Sequence, residues 1–208
     1  MLRHERTAWS LGHLILAGVD EAGRGPLAGP VVAAAVSMPR ELLEAEETRR
    51  FAGLTDSKQL TEPRREAFFA LLTSDPSIAF GVGRAEVEEI DTLNILRATH
   101  LAMRRAVEAL RREVALILVD GRPVPGLPYP SQAIVKGDAS SLLIAAASVI
   151  AKVTRDRLML ELDERYPGYG LAQHKGYGTA AHLDALRRLG ATPVHRRSFA
   201  PVRSAAGG

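Results

Sequence analysis

A run of twelve residues between two apolar segments limits what the chain can fold into more than any other feature. The run is Val19–Pro30 and reads VDEAGRGPLAGP in one-letter code. Residues 14–19 lead into it and residues 31–36 follow it, and both segments have the length and composition of a buried β-strand. Two such strands joined by glycine and proline predict an antiparallel pair with a wide connection. Asp20 and Glu21 therefore lie where a buried strand ends.

The polar residues of this run predict a metal site beside a phosphate site. Desolvated like charges repel, so the adjacent carboxylates of Asp20 and Glu21 are costly unless a cation neutralises them. Gly23, Arg24 and Gly25 follow, and here two residues without side chains flank a guanidinium, a group that suits phosphate. Solvated turns have the same composition, and the length of the run between two core strands favours the functional interpretation.

Composition restricts the class of protein. The chain has 208 residues, of which 46% are hydrophobic, and this is enough for one buried core. Because there is no cysteine, disulfides, thiolate zinc sites and cysteine nucleophiles are excluded. A metal held by carboxylates would be Mg²⁺ or Mn²⁺. We expect a cytoplasmic protein, since no apolar run reaches membrane-spanning length and no signal-peptide cleavage pattern occurs. The net charge of +3 permits nucleic-acid binding but does not indicate it.

The periodicity of the whole chain predicts an α/β protein. The predicted strands are residues 14–19, 31–36, 78–82, 114–119 and 132–135. The predicted helices are residues 61–72, 92–112, 139–165 and 179–189, with Thr61, Thr92 and Thr179 as N-caps. Three meandering strands followed by strands joined through helices describe a mixed five-stranded sheet flanked by helices, with a small helical C-terminal extension.

Two more carboxylates occupy the same kind of position as the first pair. Asp120 ends the predicted strand 114–119, and Asp138 precedes the long helix 139–165. In isolation, Asp120 before glycine is an ordinary turn residue and Asp138 an ordinary N-cap. Because ligands bind outside the carboxyl ends of central strands, adjacency of the first and fourth strands would bring these acids together with Asp20. Such a cluster can hold divalent cations that promote displacement at phosphorus.

Several segments resemble the type 2 ribonuclease H family, ribonuclease HII, and they occur in order along nearly the whole chain. The matching segments are DEAGRGP at 20–26, TDSKQL at 55–60, VDG at 119–121, KGD at 136–138, SVIAKVTRD at 148–156, HKGYGT at 174–179 and HRRSF at 195–199. Together they are highly specific, and the chain is identified as a member of this family.

The resemblance implies a ribonuclease H-like fold and a metal-dependent endonuclease. Asp20, Glu21, Asp120 and Asp138 would bind Mg²⁺ or Mn²⁺ and perform the cleavage. The implied reaction is hydrolysis of the phosphodiester 5′ to a ribonucleotide, which leaves 5′-phosphate and 3′-hydroxyl ends. The substrates would be RNA–DNA hybrids and single ribonucleotides embedded in duplex DNA, with a role in DNA replication and repair.

The resemblance also implies the substrate-binding residues. Gly23, Arg24 and Gly25 would grip the backbone around the ribonucleotide, and Tyr177 would stack beside the ribose that carries the 2′-hydroxyl. That hydroxyl is the group that separates RNA from DNA. The further candidates for contacts with the substrate are Lys58, Ser148 and Lys152.

We expect three segments along the chain. Residues 1–12 are expected to be a loose lead-in, residues 13–165 the catalytic domain, and residues 166–208 a C-terminal loop and helix that complete the substrate-binding cleft. About a dozen residues precede the first strand, which favours type 2 over the related type 3 enzymes. We expect a monomer, and the sequence does not indicate whether a replication clamp binds.

Two other functions fit parts of the pattern. A metal-dependent DNA junction nuclease of the same superfold would use the same acids, although the Gly-Arg-Gly loop and Tyr177 favour a ribonuclease. A non-catalytic module that binds hybrids would contain the acids for structural reasons. Metal-dependent cleavage separates the enzymes from the module, and cleavage of all-DNA substrates separates the two enzymes.

The basic residues toward the end of the chain have two interpretations each. His174, His182 and His195 are candidates for proton transfer, and a structural or surface position is favoured for any one of them. The arginines of this region predict a salt-sensitive nucleic-acid surface, with a solvated face as the alternative; they are Arg187, Arg188, Arg196 and Arg197.

Overall fold

Five strands form one mixed sheet in the computed structural model, which describes residues 1–206. The strands are β1 (Leu16–Ala22), β2 (Val31–Ser37), β3 (Ala79–Ala85), β4 (Leu116–Asp120) and β5 (Ser131–Ile134). Their spatial order is β3-β2-β1-β4-β5, with β2 antiparallel to both of its neighbours and β4 parallel to both of its own. The predicted mixed five-stranded sheet is confirmed.

Helices cover both faces of this sheet and form the C-terminal part of the chain. They are α1 (Arg3–Ser10), α2 (Arg40–Glu46), α3 (Glu62–Ser74), α4 (Val87–Leu93), α5 (Ile95–Ala109), α6 (Leu142–Arg165), α7 (Leu171–His174), α8 (Ala180–Leu189) and α9 (Ala200–Ala206). A 3₁₀ turn, Gly137–Ala139, precedes α6. No helix in the described range 1–206 is both long enough and apolar enough to cross a bilayer.

The core is divided by the sheet into two apolar layers. Helix α6 packs on β1 and β2 from one side, and α5 packs on β2 and β3 from the other. Every residue of β2 is buried, as expected for a strand covered on both faces. Gly18 of β1 lets the backbone of α6 come close, because a Cβ there would lie 2.2 Å from the carbonyl carbon of Leu143. This contact fixes the N-terminal end of α6 beside the strand that ends in Asp20.

Two helix starts differ from the prediction. Helix α5 begins after Asn94, whose Oδ1 accepts hydrogen bonds from the backbone N–H groups of Leu96 and Arg97 at 3.0 and 3.2 Å. The predicted cap Thr92 lies inside α4 instead and donates its hydroxyl to the carbonyl of Glu88. Helix α6 begins after Ser141, whose Oγ accepts from the N–H of Ile144. Asparagine and serine cap as well as threonine, so composition alone did not distinguish these positions.

The N-terminal segment, expected to be loose, contains helix α1. The Glu5 carboxylate is buried and accepts hydrogen bonds from the hydroxyl of Ser141 at 2.7 Å and the N–H of Leu143 at 3.1 Å. Burial raises the pKa of Glu5. Trp9 is also buried. The helix has eight residues, most of them polar, and its buried apolar side chains are only Ala8 and Trp9. A segment this short and polar does not stand out as a helix in the sequence.

The C-terminal helices pack on the loop between β1 and β2. Leu27 and Ala28 of that loop belong to an apolar cluster with residues of α6, α7, α8 and α9. Thr179 caps α8 as predicted, since its Oγ1 accepts from the N–H of His182. The helical C-terminal extension is confirmed, and it packs against this loop, residues 23–30, which we call the glycine-rich loop. The roles of residues 13–165 as the catalytic domain and of residues 166–208 as the segment that completes the substrate-binding cleft stay predictions.

Candidate active site

Three carboxylates converge at the carboxyl ends of the central strands. Strands β1 and β4 are parallel neighbours, with Val19 paired to Val119, so Asp20 and Asp120 follow at the same edge of the sheet. Asp138 comes from the 3₁₀ turn after β5. One carboxylate oxygen from each of these three aspartates lies within 4.8 Å of the other two. The predicted meeting of acids from three separate segments is therefore present.

Asp120 organises the turn that presents the third acid. Its Oδ1 accepts hydrogen bonds from the N–H of Gly137 at 2.7 Å and from the N–H of Asp138 at 3.4 Å. A short polar turn is thereby fastened to the end of β4. Asp138 is held beside Asp120 by this contact rather than by the N-terminus of α6, whose cap is Ser141.

The electrostatics of the cluster favour a bound cation. Asp20 is 5% exposed. Burial, then the charges of Glu21 and Asp120, raise its pKa well above the ordinary value, and the hydrogen bond that its Oδ1 accepts from the N–H of Glu21 at 2.7 Å opposes this rise. Burial and the charge of Asp120 likewise raise the pKa of Asp138 to about 6. Repulsion of this kind is relieved by a proton or a positive ion, and the all-oxygen donor set fits Mg²⁺ or Mn²⁺.

Glu21 lies next to the three aspartates but has a different partner. Its Oε1 accepts a hydrogen bond from Nη1 of Arg24 at 3.2 Å, and it is not part of the group of three convergent oxygens. Glu21 and Asp120 line the same cavity. Its role as a metal ligand stays a prediction.

An open cavity of about 830 Å³ adjoins the cluster. Eight of the eleven predicted site residues line it: Glu21, Gly23, Arg24, Gly25, Lys58, Asp120, Lys152 and Tyr177. Of the other three, Asp20 and Ser148 are buried and Asp138 is half-buried. The glycine-rich loop, the C-terminal part of the chain and the strand ends thus form one cleft.

Tyr177 faces the glycine-rich loop across this cleft. A Cβ added to Gly25 would lie 3.5 Å from Cε1 of Tyr177, and the tyrosine side chain is 43% exposed. Its carbonyl accepts hydrogen bonds from the N–H of Thr179 at 2.8 Å and from Nδ1 of His182 at 2.9 Å. The ring is therefore accessible while its backbone is fixed.

The two predicted lysines differ in their surroundings. Burial acts to lower the pKa of Lys58, but the carboxylates of Asp56 and Asp20 outweigh it and raise the pKa above the ordinary value. Burial lowers the pKa of Lys152, although its Nζ donates to Asp156 at 2.7 Å. The charge of Lys58 thus interacts with the acid cluster through Asp20. The charge of Lys152 is instead paired with Asp156 of the same helix.

Ser148 contacts the protein rather than the open cavity. Its Oγ donates to Oγ of Ser57 at 2.9 Å and accepts from the N–H of Ser57 at 3.3 Å. Ser57 lines the cavity next to Lys58. A direct contact of Ser148 with substrate stays a prediction, and the observed bonds fix the segment that carries Lys58.

Comparison with known proteins identifies the family. A family model described as Ribonuclease HII matches residues 17–202. The chain belongs to the ribonuclease HII family. It is 54% identical over 207 residues to the ribonuclease HII of Myxococcus xanthus, covering 100% of this chain and 68% of that protein. It is also 54% identical over 203 residues to the ribonuclease HII of Geobacillus kaustophilus, covering 98% and 75%. It is therefore a ribonuclease H of type 2, an endonuclease.

Solved structures share the fold. The ribonuclease H2 of Pyrococcus horikoshii is 31% identical with a TM-score of 0.75, covering 92% of this chain and 97% of that one. Ribonuclease HII of Archaeoglobus fulgidus, solved in complex with PCNA, is 25% identical with a TM-score of 0.73, covering 89% and 95%. Bst-RNase HIII with Mn²⁺ is 20% identical with a TM-score of 0.71, covers 96% and 72%, and supports the ribonuclease H-like fold alone.

Three arginines near the cleft were not predicted from the sequence as part of this ribonuclease HII site. Arg65 and Arg155 line the cavity, and Arg196 is fully buried behind the glycine-rich loop. The prediction that Arg196 belongs to an exposed nucleic-acid surface is wrong, because its guanidinium bonds to buried carbonyl groups of the loop. Arg187 and Arg188 of α8 are exposed and pair with Asp184.

His182 and His195 form a buried, hydrogen-bonded pair. Nε2 of His182 and Nε2 of His195 are 3.0 Å apart, and Nδ1 of His195 accepts from the N–H of Thr192. Since Nδ1 of His182 donates to the carbonyl of Tyr177, both rings are assigned as neutral. Burial and the neighbouring His182 lower the pKa of His195 to about 4. The buried positions of these two histidines agree with the structural interpretation, and the bond from His182 supports the backbone of Tyr177.

Proposed function

We propose that the protein hydrolyses the phosphodiester 5′ to a ribonucleotide, both in RNA–DNA hybrids and at single ribonucleotides in duplex DNA. The products are 5′-phosphate and 3′-hydroxyl ends. One observation carries this proposal: carboxylates from β1, β4 and the 3₁₀ turn meet within 4.8 Å beside a cleft that also contains Tyr177. Family membership supports the same reaction.

We propose Mg²⁺ or Mn²⁺ as the cofactor, held by Asp20, Asp120 and Asp138 with Glu21 beside them. The raised pKa values of Asp20 and Asp138 support this assignment, since both groups lack a positive charge sufficient to offset burial. An ion held there would supply Lewis-acid chemistry: it would lower the pKa of a bound water and offset negative charge at phosphorus. The protein keeps the carboxylates preorganised, because the N–H groups that bond to Asp120 fix their spacing before any ion arrives.

Substrate recognition is assigned to the two sides of the cleft. Gly23, Arg24 and Gly25 offer unobstructed backbone and one guanidinium to the phosphates of the strand. Tyr177 places its ring opposite this loop, where it stacks beside the sugar that carries the 2′-hydroxyl. The proximity of Gly25 to the tyrosine ring supports this role, since a Cβ added to Gly25 would be in van der Waals contact with Cε1 of Tyr177 at 3.5 Å. Lys58 adds positive charge next to the acids.

The biological setting is part of the proposal. Cleavage at embedded ribonucleotides would start their removal from DNA, which is a step in DNA repair and replication. The monomeric state and the cytoplasmic location stay predictions. The Archaeoglobus fulgidus relative forms a complex with PCNA.

A comparison of three labelled substrates tests this function. We expect the protein to cleave a duplex with one ribonucleotide and an RNA–DNA hybrid in Mg²⁺ or Mn²⁺, and to leave an all-DNA duplex intact. Chelation should abolish cleavage. Asp20→Asn should also abolish it while binding persists, because the substitution removes one ligand charge and leaves Arg24 and the loop in place. Asp184→Asn, a change at an exposed acid of α8, is the control and should cleave normally.

The alternatives have their own results in this assay. Equal cleavage of the all-DNA duplex would favour a DNA junction nuclease. Binding to the hybrid without metal-stimulated cleavage would favour a non-catalytic module. Full turnover by Asp20→Asn would contradict the proposed role of the acid cluster.

A further inference from the structure

Two arginines are buried directly behind the glycine-rich loop. Arg155 of α6 is 1% exposed and Arg196 is fully buried. Within residues 1–206, their guanidinium groups bond to backbone carbonyls and form no ion pair with a carboxylate. Burying two cations without acidic partners is costly, so the carbonyl groups that surround them are an essential part of the arrangement.

The guanidinium of Arg196 donates hydrogen bonds to several carbonyl groups of the loop. Its Nη2 donates to Gly23 at 2.6 Å and to Gly29 at 2.8 Å, and its Nη1 donates to Arg24 at 3.0 Å and to Pro26 at 2.7 Å. Nε also donates to Gly29 at 2.9 Å. One planar guanidinium thus fixes four carbonyl groups in one loop, a geometry that an ammonium group cannot reproduce.

Arg155 continues the same arrangement and extends it to the other side of the cleft. Its Nε donates to Pro30 at 3.0 Å and its Nη2 to Ala28 at 3.1 Å. Its Nη1 donates to the carbonyl of Lys175 at 3.0 Å, two residues before Tyr177. Arg155 therefore connects the loop of one wall to the tyrosine segment of the other.

The direction of the loop carbonyls, which face the buried arginines, fixes the direction of the N–H groups in the same peptide units. In a planar trans peptide the C=O and N–H bonds point in opposite directions. Because the carbonyls of Gly23 and Arg24 face Arg196, the N–H groups of Arg24 and Gly25 face away from it. Neither N–H has a hydrogen-bond partner in the described part of the chain, whereas Leu27 and Gly29 use theirs within the protein. Adjacent free amides of this kind bind anions.

The contact between arginine and loop leaves no room for a side chain. Gly23 has φ +94°, and a Cβ there would lie 1.9 Å from Nε of Arg155. Burial lowers the pKa of Arg155 to about 10 and that of Arg196 to about 9, so both stay protonated at neutral pH. Two positive charges therefore lie behind the amides, where they attract a phosphate in the cleft.

We propose that Arg155 and Arg196 are positioning residues for substrate recognition. They hold the loop carbonyls inward, so that the amides of Arg24 and Gly25 face the cleft and bind a phosphate oxygen of the ribonucleotide-containing strand. Arg155 also sets the separation between this loop and Tyr177. The inference rests on the proposed function and assigns roles to two residues that do not touch the reacting atoms.

Lysine substitutions test this inference kinetically. Arg155→Lys and Arg196→Lys keep a positive charge and lose the fork that binds several carbonyls. With a duplex that contains one ribonucleotide, we expect KM to rise about tenfold and kcat to change less than about threefold. Stabilisation by Mn²⁺ should stay at the wild-type level, because the acids are untouched. The matched controls are Arg157→Lys on the exposed face of α6 and Arg203→Lys in α9, and both should behave as wild type.

A purely structural role predicts a different pattern. The lysine variants would then unfold at lower temperature, yet the folded enzyme would keep the wild-type KM, and this result would overturn the inference. Failure of the wild-type protein to cleave the duplex would instead count against the proposed function. Wild-type cleavage together with unchanged KM in both variants would count against the positioning role alone.

A second measurement does not depend on the folding of either lysine variant. The amide resonances of Arg24 and Gly25 are followed by NMR while the one-ribonucleotide duplex is added to Asp20→Asn protein. We expect both resonances to shift and both amides to gain protection from exchange. Unchanged, freely exchanging amides in the bound complex would overturn the inference.

Discussion

Replacing Asp138 by asparagine should stabilise the metal-free protein, although the residue lies in the candidate active site. Burial and the charge of Asp120 raise the pKa of Asp138 from 3.8 to about 6. The folded state therefore holds this proton more tightly than the unfolded state does, and stability falls as pH rises from about 3.8 to about 6. Above that range the ionised carboxylate destabilises the fold, and the neutral amide of Asp138→Asn removes the effect.

The size of this effect follows from the pKa shift. A change from 3.8 to about 6 is roughly 2 units, and each unit corresponds to about 1.4 kcal/mol. Asp138 is only half-buried, and solvent screens part of the interaction. We therefore expect Asp138→Asn to raise the free energy of unfolding at pH 7.5 by about 1–2 kcal/mol.

Urea unfolding at pH 7.5, with chelator and then with Mn²⁺, measures this effect. Asp138→Asn should be more stable than wild type in chelator and should gain less from Mn²⁺, since one ligand charge is gone. Asp75→Asn is the matched control with the opposite sign, because hydrogen bonds from Ser77 and Arg50 lower the pKa of Asp75. A metal-free Asp138→Asn protein that is less stable than wild type would refute the claim that the cluster repels itself.

Three further substitutions have defined outcomes. Gly23→Ala should lower the free energy of unfolding, measured in urea, by more than Gly12→Ala does. Both glycines have positive φ, but an added Cβ would meet the guanidinium of Arg155 at Gly23 and nothing within 4 Å at Gly12. Equal losses would contradict the packing described. Tyr177→Ala should lower kcat/KM on a one-ribonucleotide duplex by about tenfold or more, since stacking of a nucleotide base on an aromatic ring is worth about 1–3 kcal/mol. Tyr177→Phe, which keeps the ring, should lose less. An unaffected rate in Tyr177→Ala would place sugar recognition elsewhere. The folded-state pKa of His195 is lowered to about 4, so its contribution to stability is lost as pH falls from about 6.5 to about 4. His195→Gln should remove about 2–3 kcal/mol of this loss, as measured by unfolding at a series of pH values. An identical pH profile in the variant would contradict the assignment of His195 as a buried neutral side chain.

The sheet and the convergence of the acids could be predicted because local signals and topology agree. Apolar runs that end in Asp20 and Asp120 predict strands with acids at their carboxyl ends. The pairing of β1 with β4 then brings these ends together. Asp138 was predicted to join them ahead of the long helix, and it does precede α6. The 3₁₀ turn and the N–H groups bonded to Asp120 hold it there.

The burial of arginines could not be predicted from local pattern. Arg155 and Arg196 lie in segments rich in charged residues, and charged side chains are mostly exposed. All but one of their carbonyl partners come from Gly23–Pro30, more than a hundred residues away in sequence. A guanidinium can be buried only where such partners converge, and this depends on tertiary structure. The same limit applies to Glu5, whose partners lie at the start of α6.

Anomalous diffraction from crystals soaked in Mn²⁺ is the most direct test of the acid cluster. We predict a manganese peak bonded to carboxylate oxygens of Asp20, Asp120 and Asp138, with the loss of that peak in Asp120→Asn crystals. The same map would show whether Glu21 is a ligand. A soaked crystal with no peak among the three aspartates, or with manganese bound at another group of residues, would contradict the assignment of this edge of the sheet as the metal site.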